Sequence, residues 1–86
     1  VSAICPLLKK YGIMTVVDSV SASFGEPMRI SDWQIDIMCG GSQKVVSAPP
    51  GLTFVVISDD AKKAMTERKI TDCVFLCKPD HFCTLL

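Results

Sequence analysis

The sequence predicts an α/β fold that forms a piece of a larger layered sheet. Three short apolar runs rich in β-branched residues indicate strands, and a helical pattern stands at each end of this series. The chain has 86 residues, 49% of them hydrophobic. This length allows at most one small domain, and the composition excludes disorder driven by polarity and charge.

The first predicted element is a helix over residues 4–11. Two lysines stand at its carboxyl end, where the helix dipole favours cations, and Gly12 is placed to cap it. Pro6 has no N–H group to donate, so the helix is expected to begin near Cys5.

Three strands are predicted next, over residues 13–17, 35–39 and 52–57. The first is a continuous apolar run, which is typical of a strand buried on both faces. Asp18 closes this first strand, and residues 40–42 break the pattern of the second.

The last predicted helix runs from about Asp60 to Lys69, with Ser58 or Asp59 as its N-cap. Residues 19–25 are small and polar and predict a loop. In layered α/β sheets, functional residues gather at the carboxyl ends of the strands. We therefore expect the chemistry near Asp18 and just after the second strand.

Charge and hydropathy bear on which classes of partner the chain could bind. The formal net charge is zero, which does not favour nucleic acid or an anionic membrane surface. No apolar run approaches the roughly 20 residues that a membrane helix needs. We expect neither nucleic acid nor a membrane as a partner.

The cysteines predict buried free thiols in a reducing, intracellular setting rather than a disulfide framework. There are five, an odd number: Cys5, Cys39, Cys73, Cys77 and Cys83. The last three stand near His81, but their spacing matches no zinc pattern, so no metal site is expected.

Four short motifs carry a resemblance to a known family. They are Val17-Asp18-Ser19-Val20, Trp33-x-Ile35-Asp36, Gly41-Ser42-Gln43-Lys44 and Ala48-Pro49-Pro50-Gly51-Leu52. In this order they resemble the class V pyridoxal-phosphate-dependent aminotransferases, nearest the alanine–glyoxylate and serine–pyruvate aminotransferases. The resemblance covers about residues 11–69.

The resemblance implies roles for four residues. Lys44 would form the Schiff base with pyridoxal 5'-phosphate and then move the proton during the reaction. Asp18 would pair with the pyridine nitrogen, Val20 would pack on a face of the ring, and Gln43 would hydrogen-bond the phosphate or its neighbourhood. The alternatives are a solvated lysine, an aspartate that caps a turn, and ordinary loop packing.

The resemblance also implies the architecture of the parent protein. Residues 1–69 would form part of the cofactor-binding large domain of fold type I, three layers α/β/α around a mostly parallel sheet. Residues 70–86 match nothing in the family and are expected to be a divergent tail. Family members are homodimers, and we expect the isolated chain to be an inactive fragment.

Transamination between alanine or serine and a 2-oxo acid such as glyoxylate is the expected activity. Two alternatives remain open at this stage. One is another class V reaction of the lyase or desulfurase type, and the other is a non-catalytic remnant that binds a full-length relative. The sequence does not distinguish cytoplasm, peroxisome and mitochondrion.

Overall fold

A computed structural model describes residues 1–68 and the backbone of residues 83–85. It confirms the α/β class. The elements are α1 (Ile4–Lys10), β1 (Val16–Asp18), β2 (Ile37–Gly41), β3 (Thr53–Ile57), α2 (Asp59–Glu67) and β4 (Cys83–Leu85). No helix among the described residues is both long and apolar enough to cross a bilayer.

The four strands form one sheet in the order β1-β2-β3-β4. β1 and β2 run parallel, whereas β3 is antiparallel to both β2 and β4. The family resemblance implies a mostly parallel sheet for the whole large domain. The described strands contribute one parallel pair and two antiparallel pairs to it, so this part of the sheet is mixed.

Helix α1 confirms the first predicted helix. Pro6 lies in its first turn, where an N–H group has no partner within the helix in any case. At the other end Gly12 adopts a φ of +69° and donates to the carbonyl of Lys9 at 3.0 Å. Ile13 donates back to Leu8 at 3.1 Å, which completes a Schellman cap.

The first strand begins later than predicted, at Val16 rather than Ile13. Pairing with β2 starts at Val16 opposite Ile37. The N–H and the hydroxyl of Thr15 donate instead to the carboxylate of Asp36. The expectation of burial on both faces is wrong for the described chain. Val16 is 70% exposed because only the face that carries Val17 packs against the core.

The second strand is also shifted, because Gly40 and Gly41 belong to β2 instead of breaking it. The ring of Phe54 lies across Gly40, where an added Cβ would stand 2.1 Å from the ring carbon Cζ. A glycine inside a strand is therefore used here for close packing. β3 begins at Thr53, one residue later than predicted.

One small core joins α1 to a single face of the sheet. Its buried members are Cys5 from α1, Ile35 from the connection before β2, and Met38 from β2. Trp33, partly buried, packs against this core. The described cysteines, Cys5 and Cys39, are free thiols, and Cys5 is buried.

Helix α2 confirms the last predicted helix. Ser58 is its N-cap, since the Ser58 hydroxyl accepts a hydrogen bond from the N–H of Ala61 at 3.1 Å. The predicted end at Lys69 lies outside the described residues. The predicted divergent tail, with its cysteines and His81, also lies outside them, apart from the backbone of β4.

Candidate functional site

The carboxyl ends of the parallel strands β1 and β2 define one edge of the sheet. Asp18, the last residue of β1, is registered opposite Cys39, and β2 ends at Gly41. Lys44 follows three positions later. The edge that sequence reasoning predicted to carry chemistry therefore holds both the candidate carboxylate and the candidate amine.

The turn after β1 is fixed by a buried pair of serines. The N–H and the hydroxyl of Ser19 both donate to the carbonyl of Cys39, at 2.9 and 2.7 Å. The Ser19 hydroxyl also lies 2.7 Å from that of Ser23. These bonds tie the start of the turn to β2, directly beside the exposed side chain of Asp18.

Asp18 itself shapes this turn. Its Oδ1 accepts a hydrogen bond from the N–H of Val20 at 3.0 Å, an Asx-turn contact. The turn-capping interpretation of Asp18 is therefore confirmed, and it is compatible with a second role. The other carboxylate oxygen has no hydrogen-bond donor among residues 1–68.

Lys44 stands on a loop of residues 42–52 that is closed at its base by Ser42. The Ser42 N–H donates to the carbonyl of Leu52 at 3.0 Å, and its hydroxyl donates to Pro49 at 2.7 Å. The Ser42 carbonyl accepts from Ala48 at 3.0 Å. The carbonyl of Pro49 thus helps to hold the loop that carries Lys44.

The Lys44 side chain is exposed, and no ion pair among residues 1–68 involves it. Gln43 beside it is also exposed, and its amide folds over Gly41, where an added Cβ would lie 2.5 Å from Oε1. Val20 is half-buried across the edge.

The donor set at this edge fits pyridoxal phosphate in chemical type. A primary amine without a carboxylate partner suits an aldehyde, and a carboxylate with one oxygen available suits a pyridine nitrogen. The exposed amide of Gln43 can donate hydrogen bonds, which suits a phosphate. The roles of Asp18, Val20, Gln43 and Lys44 nevertheless stay predictions.

Sequence reasoning missed an aromatic contact that links the loop after β1 to strand β3. Phe24 has a φ of +68°, and its ring meets that of Phe54 edge-on, with centroids 5.5 Å apart. Next to it, Gly25 lies under Val45, where an added Cβ would stand 2.9 Å from Cγ2. No local pattern reports a contact between residues this far apart in sequence.

A buried ionic network lies at the opposite end of β2. Asp36 is 1% exposed and pairs with Lys9 of α1, whose amine also lies 2.9 Å from Asp60. Asp36 Oδ2 accepts from the N–H of Thr15 at 2.9 Å, and the Ser58 hydroxyl lies 3.3 Å from Oδ1. These contacts give Asp36 a structural role, because they join α1 and the start of α2 to the sheet.

Both partners of the Asp36–Lys9 pair have shifted pKa values. Burial alone would raise the pKa of Asp36, but hydrogen bonds from Lys9, Thr15 and Ser58 and the Lys9 charge outweigh it. The pKa of Asp36 is therefore held below its ordinary value of 3.8. Hydrogen bonds to Asp36 and Asp60 raise the pKa of Lys9 above 10.5.

An open cleft of about 440 Å³ adjoins this network and not Lys44. Its wall includes Lys9, Gln34, Asp36 and Ser58, at the amino end of β2. The charges of Asp36 and Lys9 are already paired with each other, so they offer little to a ligand. We place the candidate site at the carboxyl edge, because the unpaired reactive groups stand there.

Comparison with known proteins decides the family. The model of the family described as "Aminotransferase class-V" matches residues 1–76, most of the chain. The chain belongs to the class V aminotransferase family. This match confirms the resemblance inferred from the Gly-Ser-Gln-Lys and Ala-Pro-Pro-Gly-Leu motifs.

Alanine–glyoxylate aminotransferase of Rattus norvegicus is 37% identical over 78 residues, which cover 84% of this chain and 19% of that protein. The 2-aminoethylphosphonate–pyruvate transaminase of Bacillus cytotoxicus is 38% identical over 56 residues, 65% of this chain and 15% of that protein. This chain therefore spans less than a fifth of the length of these curated class V relatives.

A solved class V structure has the same fold. The crystal structure of alanine–glyoxylate aminotransferase from Nostoc sp. superposes with a TM-score of 0.78 over 86% of this chain and 20% of that one. The sequence identity is 23%, so this likeness concerns the fold alone. It confirms that the strands and helices described above are part of an aminotransferase fold.

Proposed function

We propose that this chain carries the cofactor-anchoring part of a pyridoxal-phosphate-dependent aminotransferase, with Lys44 as the lysine that holds the cofactor. The observation that carries the proposal is the shared edge of two parallel strands. Asp18 ends β1, and Lys44 follows the end of its neighbour β2. Membership of the class V family supports the same assignment.

Each residue at this edge has one task in the proposal. When bound, the cofactor supplies an electron sink for the carbanion that forms at the substrate Cα. The Lys44 amine would hold the cofactor through its aldehyde group, and its Nζ would carry a proton during the reaction. Asp18 would pair with the pyridine nitrogen and keep it protonated, Val20 would pack on a face of the ring, and Gln43 would hydrogen-bond the phosphate or its neighbourhood.

The substrates that we propose are alanine or serine as amino donor and a 2-oxo acid such as glyoxylate as acceptor. The name of the Rattus norvegicus relative supports this pair. The Bacillus cytotoxicus relative is named for a different donor and for pyruvate. The assay must therefore include 2-aminoethylphosphonate with pyruvate as a competing pair.

The test uses the full-length protein, meaning the product of the complete reading frame that contains residues 1–86. Supplied with pyridoxal phosphate, alanine and glyoxylate, it should form pyruvate. Lys44→Ala should abolish the turnover, whereas Lys10→Ala, a matched change at an exposed helix residue, should not. Absence of turnover with all donor and acceptor pairs would contradict the proposal and favour a non-catalytic remnant.

The isolated 86-residue chain is proposed to be inactive. β1 has no described neighbour on its outer side, and Val16 on it is largely exposed. Positioning of a cofactor by Asp18, Gln43 and Lys44 alone leaves its other contacts unmade. Pyruvate formation by this chain should equal that of its Lys44→Ala control.

No described observation favours a desulfurase. That reaction needs a nucleophilic cysteine on a mobile loop. Cys5 lies buried in α1, and Cys39 lies within β2. We therefore propose aminotransfer as the reaction in preference to desulfuration.

We also propose that the full-length protein is a homodimer, as expected from the family resemblance. Sedimentation velocity measures this oligomeric state directly.

A further inference from the structure

We propose that Ser42 is a positioning residue that fixes the direction of Lys44, and that it is not a cofactor ligand. The inference rests on the proposed function of Lys44. Ser42 is 8% exposed and stands at the junction of β2 with the loop of residues 42–52. Its three polar groups all bond within this loop or to its far end.

The contacts of Ser42 join the two sides of the loop at its base and again further along it. The N–H bond to Leu52 continues the sheet pairing by one step, while the hydroxyl bond to Pro49 reaches across the loop. The carbonyl bond from Ala48 adds a third tie. Because two of the ties are backbone bonds, removing the hydroxyl loosens the loop without opening its base.

A tight inner turn passes this constraint on to the lysine. The N–H of Ser47 donates to the carbonyl of Lys44 at 2.9 Å, and Ser47 itself holds a φ of +54°. Ala48 follows directly and is bound to Ser42. The Ser42 hydroxyl holds Pro49, the residue after Ala48, so it steadies the turn that carries the Lys44 backbone and thereby limits the directions open to the lysine side chain.

The opposite flank of the loop is braced by van der Waals contact. Val45 presses on Gly25, whose neighbour Phe24 packs edge-on against Phe54. Lys44 thus lies between the hydrogen bonds of Ser42 on one side and the apolar contact of Val45 with Gly25 on the other. Since the Ser42 hydroxyl gives its only proton to Pro49, it has no donor left for a phosphate.

The test compares Ser42→Ala with Ser42→Thr and Ser31→Ala in the full-length protein. Ser42→Thr keeps the hydroxyl, and Ser31→Ala removes an exposed hydroxyl outside this loop as a matched control. We expect Ser42→Ala to lower kcat by about tenfold to a hundredfold with KM changed far less, the size typical of a misplaced group. Ser42→Thr should recover most of this loss, and Ser31→Ala should show none.

A second readout separates positioning from stability. The absorbance of the bound cofactor is titrated with pH, since it reports the protonation of the linkage to Lys44. Ser42→Ala should shift the apparent pKa of this titration, while release of the cofactor on dialysis stays unchanged. If Ser42→Ala lowers the soluble yield, Ser42→Cys keeps a weaker donor at the same position, and its kcat should lie between those of the parent and Ser42→Ala.

The outcomes distinguish this inference from the proposed function. If Lys44→Ala abolishes turnover but Ser42→Ala keeps kcat and the titration of the parent, Ser42 does not position Lys44. If Ser42→Ala instead releases the cofactor on dialysis, it is a ligand and the inference is wrong. If Lys44→Ala leaves turnover intact, the proposed function itself fails.

Discussion

Asp18 and Cys39 are register partners in the parallel pair of β1 and β2. This relationship sets the site, because β2 runs two residues beyond Cys39 before its chain turns toward Lys44. Ser19 locks the same junction, with two hydrogen bonds to the Cys39 carbonyl. The carboxylate and the amine are thus held on one sheet edge by backbone pairing.

Substitution of Asp18 tests its electronic role. Asp18→Asn in the full-length protein should lower kcat by roughly 10²-fold, the usual effect of losing one electrostatic stabiliser at a reacting centre. Folded yield should fall far less, because asparagine still accepts the Val20 hydrogen bond of the turn. Steady-state kinetics and soluble yield measure the two effects separately.

The control for this change is Asp32→Asn, an exposed aspartate that among residues 1–68 forms one ion pair, with Arg29 at 3.6 Å. It should leave kcat unchanged. A near-normal kcat for Asp18→Asn would show that Asp18 caps its turn and does nothing more.

The Asp36–Lys9 pair predicts a pH-dependent stability. Because the pKa of Asp36 is lowered in the folded state, its stabilisation is present above pH 3.8 and is lost as the pH falls through the folded pKa. Lys9 has a raised pKa, so its contribution is present below pH 10.5 and is lost on further rise.

Asp36→Asn should therefore lower the free energy of unfolding by about 3 kcal/mol at neutral pH. We take the low end of the range for buried pairs because Lys9 keeps Asp60 at 2.9 Å. Denaturant titrations at several pH values should show the difference from the parent shrinking below pH 3.8. A difference that does not change with pH would mean that the loss of stability comes from altered packing at residue 36 and not from the lost charge.

The Gly40–Phe54 contact predicts a packing conflict. Gly40→Ala places a Cβ 2.1 Å from the Phe54 ring, so the ring must move and break its edge contact with Phe24. Overpacking of this kind costs about 1–3 kcal/mol, which thermal unfolding would measure. Gly41→Ala is the matched control and should cost less, since the end of the exposed Gln43 side chain can move aside.

A double-mutant cycle identifies the cause. If the ring is the obstacle, Phe54→Leu should destabilise the Gly40→Ala variant much less than it destabilises the parent. Additive effects in the cycle would show that the loss at Gly40 has a source other than Phe54.

The sequence predicts the elements of this fold well and their limits less well. The helices, the three strands of residues 16–57 and the Ser58 cap follow from periodicity and capping chemistry. The first residue of β1 is set by its pairing with Ile37 of β2, and Gly40 fits in its strand because the Phe54 ring packs over it. Both contacts join residues that are distant in sequence, so no local pattern predicts them.

The same division holds for the site. Asp18 and Lys44 are found by motif and by their place after strands, and parallel pairing puts them on one edge. The Ser42–Pro49 hydrogen bond and the Phe24–Phe54 contact depend on side-chain directions. The spacing of residues in the sequence does not predict those directions. Asp36 gave one local signal, a single charge between apolar neighbours, but its partner Lys9 did not.

Chemical trapping tests most directly whether Lys44 holds the cofactor. The full-length protein is incubated with pyridoxal phosphate, reduced with borohydride and mapped by mass spectrometry of its peptides. We expect one stoichiometric pyridoxyl group on Lys44, lost in Lys44→Ala. A label on Lys9, Lys10, Lys62 or Lys63 in its place, or none on Lys44, would contradict it.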